Sequence, residues 1–165
     1  MHPSITLADL IKDTAGIIQS SPLINPMTTT TFKLSPVDFE LWATVLWSST
    51  DSVGQPLDRE HTVYDVDQKD VERLNADFYQ FKDRADNVLI KNGRGDACLD
   101  DLWPTKVEHL FVLVRDGHGV SFTDDWIPGS RTYAIALELD RIARQYPGIC
   151  ATADDDGRSV YCYWS

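Results

Sequence analysis

Val112-Leu113-Val114-Arg115-Asp116-Gly117-His118-Gly119-Val120-Ser121-Phe122-Thr123-Asp124-Asp125 is the stretch on which the fold reading turns. A β-branched, apolar run enters a tight Gly-His-Gly, and a short segment then leads to an acidic pair. Val107 to Val114 reads as the best strand of the chain, with Val120 to Thr123 returning antiparallel to it. Leu110 to Val114 is too continuously apolar for an exposed edge, which places that strand centrally in a sheet. His118, fixed between two glycines, sits on open backbone.

Downstream, Pro128-Gly129-Ser130 introduces a helix over 131–146, striped by Ile135, Leu139, Ile142 and Tyr146 and widened by Ala134, Leu137 and Ala143. Pro147-Gly148 stops it. Two strands, 149–153 and 159–164, then flank Asp154-Asp155-Asp156-Gly157-Arg158, whose Asp-Gly is a hairpin signal. Upstream, Asp67 caps the longest helix, 68–89. Val71, Leu74, Phe78, Phe81, Ala85 and Val88 form its apolar stripe, and Asp70, Glu72, Asp77, Lys82, Asp83 and Arg84 a solvated face. Between these, Asn92-Gly93-Arg94-Gly95 breaks the chain, and 96–106 is either a short turn of helix or an ordered loop.

Ser35-Pro36 starts another helix, with Ser as N-cap and Pro at the first helical position. Val37, Leu41 and Val45 form one stripe and Phe39, Trp42 and Leu46 a second, so this helix is expected to be buried on more than one side. Residues 51–66, with Gly54 and Pro56, have loop chemistry. Residues 4–20 read as an amphipathic helix capped by Ser4, broken by Ser20-Ser21-Pro22 through Pro26. Either this is an extension (1–26) joined to a second start at Met27, or its helix packs on the main body, 27–165. These elements predict an α+β domain. Its antiparallel sheet has three or four strands, with helices 68–89 and 131–146 on one face.

The chain has 165 residues, enough to bury roughly two-thirds of its unfolded surface. Its 42% apolar and 25% charged residues are ordinary globular values. The net charge is −11, from 26 acids against 15 lysines and arginines. A surface of that sign repels phosphate backbones and disfavours direct nucleic-acid binding. The same charge suits two roles: a plain acidic surface, or one that competes with nucleic acid for a basic protein. Cys98, Cys150 and Cys162 form an odd set without a CxxC pair, which argues against a disulfide framework or a structural zinc site. No span of about 18 apolar residues is present, and the N-terminus lacks signal-peptide features. A reducing cytoplasm is the expectation.

His118 could serve as a general base with Asp116, Asp124 or Asp125 holding its ring. No serine or cysteine occupies a nucleophile elbow, and Asp-Gly-His-Gly is also plain turn chemistry. His2, His61, His109 and His118 lack metal-ligand spacing. Thr152 stands where the first Asp of a calcium loop belongs, so neither a metal nor a cofactor is expected. Cys150 and Cys162 lie on the two arms of the last hairpin as possible neighbours, more in keeping with small core residues than a redox pair.

Two blocks resemble a family of small, uncharacterised proteins of tailed bacteriophages. The first is Leu46-Trp47-Ser48-Ser49-Thr50-Asp51 with Pro56-Leu57-Asp58. The second, and the specific one, is Asp116-Gly117-His118-Gly119, Phe122-Thr123-Asp124, the helix 131–146 and Asp155-Asp156-Gly157. The likeness spans 35–161 in outline. Asp116 stands where the family has asparagine and Val120-Ser121 where it has a small Ala-Gly pair. The linker before the hairpin is longer, and 1–26 has no counterpart. The family carries no activity to transfer. The resemblance implies a phage gene product in the host cytoplasm, and short acidic phage proteins most plausibly bind a host protein. The expected function is a non-enzymatic inhibitor of a host protein, such as a basic, nucleic-acid-handling defence effector. Its candidate contacts are Asp70, Asp77, Asp83, Asp100, Asp101, Asp116, His118, Asp124 and Asp125. The alternatives are a small hydrolase using His118 with Asp116 or Asp124, and a structural or assembly helper.

Overall fold

Ser35 does what its type dictates in the computed structural model, which describes residues 33–103, 107–154 and 157–165. Its hydroxyl accepts the Asp38 N–H at 3.2 Å while the Asp38 carboxylate accepts the Ser35 N–H at 2.6 Å. This reciprocal cap satisfies backbone donors that the first helical turn leaves orphaned. It starts α1, Pro36–Ser48. Asp67 likewise caps α2, Gln68–Lys91, by accepting the Lys69 N–H. The further helices are α3, Leu99–Leu102, α4, Val107–Arg115, and α5, Arg131–Ala143. The strands β1, Ile149–Ala153, and β2, Val160–Trp164, pair antiparallel with Ala151 opposite Cys162. The expected extension 1–26 lies outside the described residues.

The molecule is α+β, but among the described residues its sheet has two strands, not three or four. The segment expected as a central strand is helix α4, and Val120 to Thr123 is turn and loop rather than its returning partner. Burial is the reason. Val107, Phe111 and Val114, at i, i+4 and i+7, are fully buried, and Val112 and Leu113 between them are buried too. A helix covered all round needs the same unbroken apolar run as a central strand, so periodicity alone does not separate them. The helix surroundings override the β preference of three valines.

Gly-His-Gly is therefore a helix stop. The His118 N–H donates to the Leu113 carbonyl at 3.0 Å and the Gly117 N–H to that of Val114 at 3.3 Å. Gly117 takes φ +76°. This double bond with a left-handed residue is the Schellman ending of a helix, and glycine is the residue that adopts it without a Cβ clash.

The helices pack chiefly on one another: α1 on α2 and α4, α2 on α3 and α5, α4 on α5. Between α2 and α4 the rings of Phe78, Phe81 and Phe111 meet, and Phe122 and Trp103 extend the cluster from the loops. Every apolar position expected of α2 is buried. The hairpin leans on α1 rather than lying under two helices. Its outer β1 edge is closed by side chains: Ser49 Oγ accepts the Ala151 N–H at 3.2 Å and Asp116 Oδ1 the Ile149 N–H at 3.1 Å. On the other edge Val160 makes a single parallel bridge with Val66. Both devices occupy strand edges that would otherwise invite pairing.

Candidate functional site

The nine sequence candidates separate into an interior group and an outward group. In the interior group, Asp70 is buried and accepts the Trp164 indole N–H at 3.0 Å. Asp116 receives Arg115 Nε at 2.9 Å, and the Arg115 side chain is wholly buried. The guanidinium also lies over the rings of Phe111 and Trp164, at 5.5 and 5.7 Å. Asp77 is half-buried, and that burial holds its carboxyl above the ordinary range, against the pull of Arg115 and Arg73. These three acids hold the junction of α2, α4 and the hairpin. The expectation that Asp70 and Asp77 lie on a solvated face is corrected: the C-terminal hairpin covers Asp70, and Asp77 faces the buried Arg115.

The outward group comprises Asp83, Asp100, Asp101, Asp124 and Asp125, all exposed, and His118, also exposed. Packing brings their segments together. Phe81 of α2 meets Phe122 at 5.7 Å, and Trp103, just after α3, meets both Phe122 and Trp126. Trp103 Nε1 donates to the Phe122 carbonyl, and Lys82 of α2 reaches Asp100 at 3.9 Å. The Phe122 N–H and the Ser121 hydroxyl both donate to Asp140 of α5, pinning the loop. The middle of α2, α3 and the 121–126 loop thus share one aromatic base and carry carboxylates outward from it. Asp101 also caps the Cys98 N–H, which draws its carboxyl below the usual range. Asp124 accepts the Ser121 N–H at 3.0 Å. Asp86 and Asp96, exposed beside α3, belong with this group and passed unremarked in the sequence because neither sits in a motif.

Two of the acids expected to hold the His118 ring, Asp116 and Asp124, accept other donors. The Asp116 carboxylate is taken by Arg115 and Ile149, that of Asp124 by the Ser121 N–H, and Ser121 Oγ by Asp140. Among the described residues no group of three or more His, Cys, Asp or Glu is arranged to hold a metal ion, and no helix is long and apolar enough to cross a membrane.

The hairpin register puts Cys162 opposite Ala151, on the face where Ala151 is buried, and Cys150 opposite Tyr163 on the exposed face. The two thiols occupy opposite sides of the sheet, because side chains alternate along a strand. Burial, followed by the charge of Asp70, pushes the Cys162 thiol up to about 12. The thiolate is the reactive form. At pH 8 a thiol of that kind is ionised in only about one copy in ten thousand. Iodoacetamide at pH 8 is expected to alkylate Cys98 and Cys150, both exposed, and to spare Cys162 until the chain unfolds. Peptide mapping by mass spectrometry reads the order. Equal rates at Cys150 and Cys162 would contradict this packing of the hairpin.

No family model matches this chain, and no curated protein or solved structure matches it.

Proposed function

We propose that this chain is a phage-encoded, non-enzymatic acidic protein that binds a basic, nucleic-acid-handling host protein, as an anti-CRISPR or anti-restriction inhibitor does. The observation behind the reading is that three segments bearing exposed carboxylates, α2 with Asp83, α3 with Asp100 and Asp101, and the 121–126 loop with Asp124 and Asp125, meet around Trp103 and Phe122. Carboxylates held on a rigid apolar base keep their spacing, and spacing is what lets them replace phosphates against lysines and arginines. The host cytoplasm is the compartment such a partner implies. The engagement of Asp116 and Asp124 elsewhere speaks for binding over hydrolysis at His118.

The test is binding to purified basic defence effectors, followed with and without competing duplex DNA. The wild-type chain is expected to displace DNA, with an affinity that falls steeply as salt is raised. Replacing Asp100, Asp101 and Asp125 together with lysine should weaken binding by at least about a hundredfold, at roughly 1 kcal/mol for each reversed charge contact. His118→Ala should change nothing. Loss of inhibition on His118→Ala with binding retained would favour a hydrolase instead, and binding insensitive to salt would refute the electrostatic mechanism.

A further inference from the structure

Helix α1 is apolar on faces that its neighbours do not cover. Leu41, Trp42, Val45 and Leu46 are buried, but Phe39 is 41% exposed, Trp47 53%, and Ala43 between them is open to solvent. Positions 39, 43 and 47 follow one another at single-turn spacing along one face. Across from them Tyr64 is 69% exposed and meets Phe39 edge to face at 5.7 Å. Beside this ring pair lies a groove of about 270 Å³, also lined by Ala43, Leu46 and Val63. Contiguous exposed aromatic surface of this kind marks interaction sites more often than chance surface does.

His61 closes the groove at one end. It is only 7% exposed and also lines a second cleft of about 540 Å³. That cleft runs between the 51–61 loop and the hairpin, with Pro56 and Leu57 as an apolar wall. The described residues lining groove and cleft include the carboxylates of Asp51, Asp58, Glu60 and Asp154 against the single guanidinium of Arg59. Arg59 is already bonded to Gln55.

We propose that groove and cleft form one docking surface for a basic segment of a partner protein. An apolar side chain of that segment seats over Ala43 and Val63 against the Phe39–Tyr64 ring pair, and an adjacent arginine or lysine enters the cleft beside Glu60 and His61. The two recesses share His61 as a wall, so neighbouring side chains of one peptide reach both. Charge selects the occupant, since the lining repels an acidic segment and attracts a cationic one. This rests on the proposed preference for a basic partner, and adds a second, partly apolar contact region away from the carboxylates around Trp103.

The test uses the full-length chain and a fluorescein-labelled peptide of arginines around one tryptophan, with affinity read by fluorescence anisotropy. Ala43→Gln fills the groove without altering its charge and Glu60→Lys reverses the charge at the cleft, both at exposed positions. Circular dichroism confirms that each variant is folded. Each is expected to weaken the peptide at least about tenfold, a peptide with alanine for tryptophan should bind correspondingly less well, and Asp100→Lys should have little effect. If the peptide binds but only Asp100→Lys weakens it, the docking site is refuted while the acidic-surface reading stands. If the peptide does not bind the wild-type chain although the basic effectors do, this site is again refuted. If neither binds, the basic-partner reading falls with it.

Discussion

Asp116→Ala is expected to destabilise the protein by about 3–5 kcal/mol, the cost of leaving a buried charge without its partner. The Arg115 side chain is fully buried, and the carboxylate at its Nε is the counter-ion that makes that burial tolerable. The same Asp116 Oδ1 accepts the Ile149 N–H, thirty-three residues on. One substitution thus orphans a guanidinium and frees the first residue of β1. Asp116→Asn keeps an oxygen for Ile149 but surrenders the charge, and should cost about 1.5–3 kcal/mol, the range of a charged hydrogen bond. Adding Arg115→Met to Asp116→Asn should recover most of that loss, because apolar replacement of a buried pair is often neutral. Urea unfolding of the wild type, Asp116→Asn, Arg115→Met and the double variant measures the cycle, with Asp116→Ala unfolded beside them. A cost below about 1 kcal/mol for Asp116→Ala with an unchanged denaturant slope would show that the ion pair does not hold the hairpin down.

The same residue shows where sequence reading succeeded and where it stopped. Ser35-Pro36, Asp67, Ser130 and the Asp-Gly hairpin all announce themselves through local chemistry, because a cap or turn is made by neighbours in the chain. Their elements stand where expected, with the helix after Ser130 ending at Ala143, three residues early. Val107 to Arg115 carries fainter local signals, Thr105 three residues before Glu108 and the stop at Gly117, and the Asp-Gly after it reads equally well as a hairpin turn. Its three valines and continuous apolar run are compatible with strand or helix, and only the surrounding helices decide. Arg115 was a usable clue: a charged residue one step after an apolar run must either end the element or find a buried partner, and here it does both. Of the candidate contacts in loops or on short elements, all but Asp116, which the buried Arg115 draws inward, proved exposed, as polarity suggests. Asp70 and Asp77 did not, because an acid on the polar face of a helix is solvated only if nothing folds over it, and the C-terminal hairpin does so by bringing Trp164 onto Asp70. Exposure of Phe39 and Trp47 was hidden for the converse reason, since an apolar stripe carries no mark of whether a partner exists.

Phe81→Ala should remove a further 3–5 kcal/mol, about the range for deleting a fully buried aromatic side chain. The ring is wholly buried, 4.9 Å from Phe111 of α4 and 5.7 Å from Phe122 of the 121–126 loop, and it also neighbours Phe78. It is the piece of α2 that ties the central helix to the loop bearing Asp124 and Asp125. Phe81→Leu retains most of the volume and should cost about 1–1.5 kcal/mol, the usual figure for a volume-conserving swap. At the lower end of the range of about 5–15 kcal/mol for domains of ordinary stability, the alanine variant sits near unfolding at room temperature and the leucine variant does not. The pair also separates stability from function. If the carboxylates bind because this aromatic base spaces them, Phe81→Leu should remain folded yet lose affinity for a basic partner, through a faster off-rate rather than a slower on-rate. The summed charge that steers encounter is unchanged in that variant, whereas the local spacing that holds the complex is not. A leucine variant with wild-type off-rate would mean that charge alone, and not its placement on the Trp103–Phe122 base, drives binding.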